Sequence, residues 1–348
     1  MSALWKLKAW AFNGSDNIPE QLTNAAVPIS DADCRTCSNP CEDGHPEFPP
    51  RFKVDRERQL LGSVRPFRRQ VLISTGKTDW DREITNTSGS LAAHLDRAHQ
   101  KVTVKPSPHL DTDGQPLPNV PGIFNAADSG EISLLNGSYR TIADDNLETV
   151  LVFPDFVVVS GIPSTLDGAQ KLWKSALDPR VPRILGSQES TFKTWVLPYS
   201  CVITFCSHKR RDNRCAIAAP KLEQAFTTSL HHRGWTVDTQ LEHIDDPSLE
   251  EFAVSVAEKE ARVTETLKTA QTAKKALILY NSHMGGHRFS GNCIIYLPNG
   301  ASVWYGRVSP HEVDAVVVNT LESGLILPEL LRGGVNLSKP GCKTIHDW

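Results

Sequence analysis

The chain has 348 residues, 39% of them hydrophobic and 22% charged, which is typical of globular proteins and long enough for about two domains. A formal net charge of −3 gives no overall attraction for nucleic acid or for an anionic membrane. The most apolar stretch, 150–160, is too short to span a bilayer. These features predict a soluble protein that binds neither. The N-terminus lacks the apolar core of a secretory signal, so a cytoplasmic location is expected, with the mitochondrion as the alternative.

The first 67 residues are rich in proline, charged residues and turn formers, so an irregular arm is predicted over 1–67. The arm contains Cys34, Cys37 and Cys41, whose Cys-x-x-Cys-x-x-x-Cys spacing suits metal capture or thiol exchange. Two interpretations stay open, a group of redox-active thiols and a segment without chemical function.

An N-terminal α/β domain is predicted over 68–190, because apolar runs of strand length alternate there with a helical pattern. The predicted elements, in chain order, are a strand over 69–75, a helix over 88–100, a loop over 106–128, strands over 149–153 and 156–159, and a helix over 166–177.

A second unit, predicted over 191–334, follows the order of the second half of a thioredoxin-like α/β sandwich. Its predicted elements are a strand over 195–205, helices over 220–232 and 248–274, a strand over 276–280, a hairpin formed by 293–297 and 302–308, and a helix from 309 to 324. The remaining residues, 335–348, are predicted to be a flexible tail.

Two pairs of metal-binding residues stand at the ends of predicted strands, Cys206 with Cys215 and His283 with His287. Two glycines between the histidines make a helix costly there, so a loop is predicted. Two thiols and two imidazoles can coordinate one zinc ion, or hold one iron on each side of a 2Fe-2S cluster. The spacing alone leaves both possibilities open.

Mixed ligation has a clear electrostatic consequence for a 2Fe-2S cluster. Two ferric ions, two sulfides, two thiolates and two neutral imidazoles sum to zero charge, whereas four thiolates leave the oxidised cluster negative. The reduction potential is therefore expected to lie above that of an all-cysteine ferredoxin. Because histidine ligands titrate near neutral pH, both the potential and the stability of the cluster are expected to depend on pH.

The loop between the two cysteines contains a further histidine and a basic run. Cys206 and His208 have the Cys-x-His spacing of half a Rieske centre, but the second half, Cys-x-x-His, does not occur in the sequence. His208 is therefore predicted to lie beside the ligands rather than among them. A docking surface for an acidic redox partner is predicted at Lys209, Arg210, Arg211 and Arg214.

Several stretches resemble the sucrase/ferredoxin-like family of fungal and plant proteins, which are thioredoxin-like 2Fe-2S ferredoxins. The matching segments are 205–215, 219–220, 283–292 and 304–310, with weaker matches at 75–80 and 153–156. The resemblance implies that Cys206 and Cys215 bind one iron and that His283 and His287 bind the other. It also implies a role in redox homeostasis. Sucrase activity is not expected, because no pair of carboxylates occurs in a recognisable glycosidase setting.

The last three residues, 346–348, resemble the terminal tripeptide by which client proteins dock onto the cytosolic iron-sulfur targeting complex. His346 departs from the usual aliphatic residue, while Trp348 supplies the terminal aromatic ring. The resemblance therefore implies docking through Trp348, and a frayed terminus is the alternative.

Taken together, these features predict an electron-transfer protein with a Cys2His2 2Fe-2S cluster and an unknown redox partner, and they indicate no catalytic residue. A structural zinc-binding interaction module is one alternative, because it would use the same four ligands. A thiol-disulfide oxidoreductase based on the cysteines of the arm is the other.

Overall fold

The structure is a computed structural model of the protein and describes residues 17–35, 37, 38, 42, 44–144, 146–186 and 190–348. Twelve strands are present in this part of the chain: β1 (Arg69–Ser74), β2 (Ile123–Phe124), β3 (Ile132–Gly137), β4 (Leu147–Phe153), β5 (Val157–Pro163), β6 (Lys193–Val196), β7 (Cys201–Cys206), β8 (Thr236–Asp238), β9 (Lys275–Asn281), β10 (Cys293–Tyr296), β11 (Ser302–Tyr305) and β12 (Leu331–Val335).

The α-helices of the same residues pack on the strands. They are α1 (Ile18–Asn24), α2 (Leu91–Ala98), α3 (Leu166–Leu172), α4 (Asn213–His232), α5 (Val256–Thr272) and α6 (Val313–Val316). Two of them continue as π-helical turns, α3 through Trp173–Leu177 and α6 through Val317–Glu322. No helix of the described residues is both long and apolar enough to cross a membrane.

All of these strands belong to one mixed sheet, so the predicted α/β class is confirmed. The order is β2-β12-β11-β10-β7-β9-β3-β1-β4-β5-β6, and β8 pairs with β9 beside this path. Strand β1 is buried along its whole length because it lies between β3 and β4 and has helices on one face. Val71 and Ile73 of this strand pack with α2 and α3 in a core that includes Leu95 and Leu172.

The second unit is built around four neighbouring strands in the order β9-β7-β10-β11. Strands β7 and β9 are parallel, and β10 and β11 continue the sheet as an antiparallel hairpin. Helices α4 and α6 cover one face, where Phe205 and Phe226 pack together, and α5 lies on the other face through Val263 and Leu267. A central sheet with helices on both faces is what the predicted thioredoxin-like unit requires, while the bounds of that unit, 191–334, stay a prediction.

The two units meet edge to edge at β3 and β9. Gly137 pairs with Asn281, and the amide of Asn136 donates a hydrogen bond to Ser282 Oγ at 2.9 Å. Ser138 N–H donates to the carbonyl of Tyr280 at 2.9 Å. The division of the chain near residue 190 stays a prediction, since both sides contribute strands to the same sheet.

Three predicted elements of the second unit differ from the structure. The strand predicted over 195–205 is divided into β6 and β7, which are separated by 197–200. The helix predicted over 248–274 begins at Val256, where Ser255 caps it. The helix expected to begin at Pro220 begins at Asn213, because the carboxylate of Asp212 caps it by accepting a hydrogen bond from the amide of Arg214. Pro220 lies within the helix instead of starting it. Asn213 and Arg214, at the end of the predicted basic loop, therefore form part of the first turn of α4.

The two ends of the described chain pack on the core. In the predicted arm, α1 buries Leu22 completely. At the C-terminus, where a flexible tail is predicted, Leu337 and Ile345 are also completely buried. The side-chain amide of Asn299 donates hydrogen bonds to the carbonyls of Ile345 and Asp347, at 2.7 and 3.1 Å. These contacts hold residues 335–348 against the second unit.

Candidate metal centre

The two predicted cysteine ligands lie where a strand gives way to a helix. Cys206 is the last residue of β7, and Cys215 lies in the first turn of α4. Both side chains are buried, with 4% and 2% of their surface exposed. The partial positive charge of a helix N-terminus favours a thiolate at this position. The local fold therefore places two thiols together at the end of a buried strand.

Each of the two thiols shifts the pKa of the other. A hydrogen bond with Cys215, opposed by burial and aided by His283, holds the pKa of Cys206 well below its usual value. The hydrogen bond with Cys206 raises the pKa of Cys215 in turn. Because thiolates are the metal-binding form of cysteine, the lowered pKa of Cys206 favours metal binding by this pair.

The two predicted histidine ligands lie on the loop after β9. Between them, Gly285 and Gly286 both adopt left-handed backbone angles, with φ of 80° and 67°. The imidazole rings of His283 and His287 lie 5.4 Å apart between centroids. Both Nδ1 atoms are buried and lack a hydrogen-bond partner within the described residues. Burial and the neighbouring His283 lower the pKa of His287, which favours the neutral ring that binds metals.

Arg332 of β12 places a positive charge under this loop. Its side chain is completely buried and donates hydrogen bonds to the carbonyl of Gly285 at 3.3 Å and to Asn292 Oδ1 at 2.8 Å. Burial lowers the pKa of Arg332 to about 10, although the thiols of Cys206 and Cys215 oppose that shift. The guanidinium therefore stays charged at neutral pH and compensates negative charge on the thiols.

His208 connects the cysteine loop to the histidine loop. It is completely buried; its Nδ1 accepts a hydrogen bond from the amide of His283 at 3.1 Å. Its Nε2 donates to the carbonyl of Trp80 at 2.9 Å, and the indole ring of Trp80 stands edge-on to it. Both ring nitrogens are thus engaged, so His208 positions the backbone of His283 and is not itself placed to bind a metal.

The segment that resembles the family at 75–80 packs onto the cysteine loop. The carbonyl of Thr78 accepts a hydrogen bond from Ser207 Oγ at 2.7 Å, next to the contact between Trp80 and His208. The sequence shows this segment as a family match but does not reveal its role, because its partners lie about 130 positions away. Its function here is to support the backbone beside Cys206.

The basic run is largely paired within the chain. Arg210 forms ion pairs with Asp79 and Asp81 at 3.6 and 2.5 Å, and Arg211 pairs with Glu83. Arg214 pairs with the Asp212 carboxylate that caps α4, and Lys209 is exposed. The acidic residues at 79–83 thus offset most of the positive charge of this surface, and partner docking here stays a prediction.

The cysteines of the arm have different environments. Cys34 is buried, and its burial together with Glu329 raises the pKa of its thiol to about 12, which suppresses the nucleophilic thiolate. Cys37 lies with its Sγ 3.0 Å from Nδ1 of His311, a residue 274 positions away. Cys41 lies outside the described residues. The close spacing in sequence therefore does not give Cys34 and Cys37 a common environment.

Trp348 lies on the surface with 48% of its area exposed. Its indole Nε1 donates a hydrogen bond to Gln271 Oε1 at 2.6 Å, and the ammonium of Lys268 lies 5.8 Å from the centre of the ring. The ring is accessible but seated on α5. Docking through Trp348 remains a prediction.

The structure brings together the loops that carry the four predicted ligands, since Cys206 at the end of β7 pairs in register with Asn281 of β9, two residues before His283, and the rings of His283 and His287 face each other. Two features fit a bound metal or iron-sulfur group. The donors are thiols and imidazoles, and two buried ring nitrogens have no other partner in the described residues. The fold and this site together define an α/β protein with a centre of two buried cysteines and two partly buried histidines.

Comparison with known proteins agrees with this description. Residues 60–333 match the family described as sucrase/ferredoxin-like, and the chain belongs to this family. Its description and the site are compatible with a metal or iron-sulfur cofactor and point to a redox-related role. No solved structure matches the chain.

Several fungal relatives match most of the chain. Actin patches distal protein 1 of Saccharomyces cerevisiae is 24% identical over 325 residues, which cover 85% of this chain and 84% of that protein. Altered inheritance of mitochondria protein 32 of Debaryomyces hansenii is 27% identical over 299 residues, covering 83% of this chain and 90% of that protein. The protein of the same name from Clavispora lusitaniae is 24% identical over 319 residues, covering 88% and 93%.

Proposed function

We propose that this protein is an electron-transfer protein that holds a bis-histidinyl 2Fe-2S cluster with Cys206, Cys215, His283 and His287. The observation that supports it best is the pairing of two buried thiols with two imidazoles whose buried Nδ1 atoms lack partners among the described residues. A buried polar atom without a partner costs about 1–3 kcal/mol. Coordination through these nitrogens would remove that cost.

The spread of the donor atoms favours a two-iron cluster over a single zinc ion. Zinc bond lengths of about 2.0–2.3 Å place neighbouring donors of a tetrahedral site about 3.3–3.8 Å apart. Among the described residues, three donors lie within 4.8 Å of one another only at Cys37, His45 and His311, so the four proposed cluster ligands are more widely spread. Two irons held by separate pairs do not require all four donors to converge on one point.

The surrounding residues suit a group that gains an electron. When bound, the cluster would supply one-electron redox chemistry. Arg332 contributes a buried positive charge, and the first turn of α4 presents its partial positive charge beside Cys215. Both stabilise added negative charge. The potential is therefore expected to lie above that of an all-cysteine ferredoxin.

The proposed setting is redox homeostasis in the cytoplasm, with the mitochondrion as the alternative. The redox partner is proposed to contact the surface beside the cysteine loop, where Lys209 is exposed. Cluster delivery by the cytosolic iron-sulfur targeting complex is proposed to use Trp348, whose ring is half exposed.

The test is metal analysis and spectroscopy of the full chain purified without oxygen. We expect a red-brown protein with iron and acid-labile sulfide in equal amounts, about two of each per chain, and a paramagnetic signal after dithionite. Cys206→Ser and His283→Ala should lose the colour. His243→Ala is the matched control, because the side chain of His243 is 72% exposed. A colourless protein with zinc bound by the same four residues would contradict the proposal.

A further inference from the structure

A second group of metal-binding side chains lies between the arm and α6, apart from the proposed cluster ligands. Cys37, His45 and His311 each offer one ligand atom, and these atoms all lie within 4.8 Å of one another. Cys37 Sγ is 3.0 Å from His311 Nδ1, and the rings of His45 and His311 meet edge to face, with centroids 5.2 Å apart. Two distant parts of the chain thus contribute donors to one place.

We propose that Cys37, His45 and His311 bind a zinc ion that fastens the arm to the start of α6. One thiolate and two imidazoles are donors that zinc accepts readily, and three protein ligands leave its fourth position for water or another donor. A tetrahedral ion with usual bond lengths would separate Cys37 Sγ and His311 Nδ1 by about 3.5 Å. The observed 3.0 Å lies within about half an ångström of that value.

The environment of His311 supports this assignment. The residue is 8% exposed, and its other nitrogen, Nε2, lies 4.0 Å from a carboxylate oxygen of Glu47. A carboxylate that hydrogen-bonds to the far nitrogen of a metal-bound imidazole orients the ring and strengthens it as a ligand, and a small rotation of the exposed Glu47 side chain would bring its carboxylate from 4.0 Å to that distance. Zinc binding would displace the thiol proton of Cys37 to solvent.

The zinc ion would stabilise a segment that touches the proposed cluster loops. Downstream of His45, the amide of Asp55 donates a hydrogen bond to the carbonyl of Arg288 at 2.9 Å, next to His287. Arg214 Nη1 donates to the carbonyl of Lys53 at 2.9 Å, next to Cys215. The arm therefore runs from the proposed zinc site to both ligand loops. Zinc at its upstream end would restrain residues 44–58 against the core.

The experiment measures zinc, iron and sulfide in the full chain after expression with added zinc. We expect about one zinc per chain, falling to less than about a tenth in Cys37→Ser and in His311→Ala, while iron is unchanged. Cys342→Ser is the matched cysteine control, because Cys342 is a partly exposed thiol outside both sites. His243→Ala serves the same purpose for histidine. Amide hydrogen exchange over 44–58 should quicken in the variants that lose zinc.

Three outcomes would overturn the zinc site. They are a chain without zinc, zinc that is retained in both Cys37→Ser and His311→Ala, and zinc that is lost in Cys206→Ser instead. Should His311→Ala fail to fold, Cys37→Ser with Co²⁺ as the probe decides, because only thiolate ligation gives a sulfur-to-cobalt charge-transfer band that this variant would remove. Iron and sulfide report on the proposed cluster separately, so either assignment can fail without the other.

Discussion

The hydrogen bonds of His208 lead to a specific prediction about how the histidine loop is held. Replacing His208 by leucine keeps an apolar side chain in a completely buried position but removes both hydrogen bonds of the ring. The amide of His283 would lose its acceptor, and the carbonyl of Trp80 would lose its donor. Both are backbone groups on loops that this side chain links to each other.

The magnitude follows from these two groups. Leaving one buried backbone group without a partner costs about 1–3 kcal/mol, so His208→Leu should lower the free energy of unfolding by about 2–6 kcal/mol. Without the hydrogen bond from its amide to His208, His283 should also hold its imidazole less firmly in place. The iron content per folded chain should therefore fall. His208→Gln keeps one acceptor and one donor and should recover part of both losses.

The assay is urea denaturation at pH 7 together with iron analysis of the folded fraction. His243→Leu is the control, because it makes the same substitution at an exposed position. The explanation fails if His208→Leu unfolds within about 1 kcal/mol of the parent protein, which is less than the cost of one unpaired group. It also fails if His208→Gln is no better than His208→Leu in both measurements.

Three further predictions concern stability. Asp212→Ala should lower the free energy of unfolding by about 1 kcal/mol at pH 7, and Asp212→Asn should lower it less, because asparagine also caps helices. The hydrogen bond with Arg214 lowers the pKa of Asp212 from 3.8, so the carboxylate's contribution to stability is present above pH 3.8 and is lost as pH falls through the lowered pKa. Urea titrations across pH 2–7 would detect that loss. A left-handed backbone costs a residue with a Cβ about 1–2 kcal/mol, and Gly286→Ala should lower the free energy of unfolding by more than this because the new Cβ would overlap Arg332. Gly234→Ala is the control, since its Cβ would have the same backbone strain but would lie in open space. Equal melting temperatures of the two variants would contradict the prediction. Arg69→Met should cost about 3–5 kcal/mol in denaturant, because it leaves the buried carboxylate of Asp155 unpaired, and an unchanged midpoint would refute it.

Much of the site could be predicted because its signals are local. Cys206 follows an unbroken run of strand-forming residues, and His283 follows another, so both were expected at strand ends. The glycines between His283 and His287 excluded a helix, and the loop has two residues with positive φ. Patterns of this kind depend on backbone preferences within a few residues, which the sequence contains in full.

Other features could not be predicted because their partners are distant in sequence. The run containing Arg210 and Arg211 looked like a free basic surface, yet acidic residues about 130 positions earlier pair with it. The start of α4 was missed because Pro220 is typical of a first turn, while the capping carboxylate at Asp212 belonged to a segment interpreted as loop.

The sequence by itself determined the α/β class and the pairing of thiols and imidazoles at strand ends. Tertiary structure alone decided which of these groups meet. It buried Cys34 beside Glu329, brought Cys37 to His311 across 274 positions, and set Arg332 under the histidine loop. The physical reason is that spacing along a chain specifies contacts only within one turn or loop, whereas burial of apolar faces brings separate loops together.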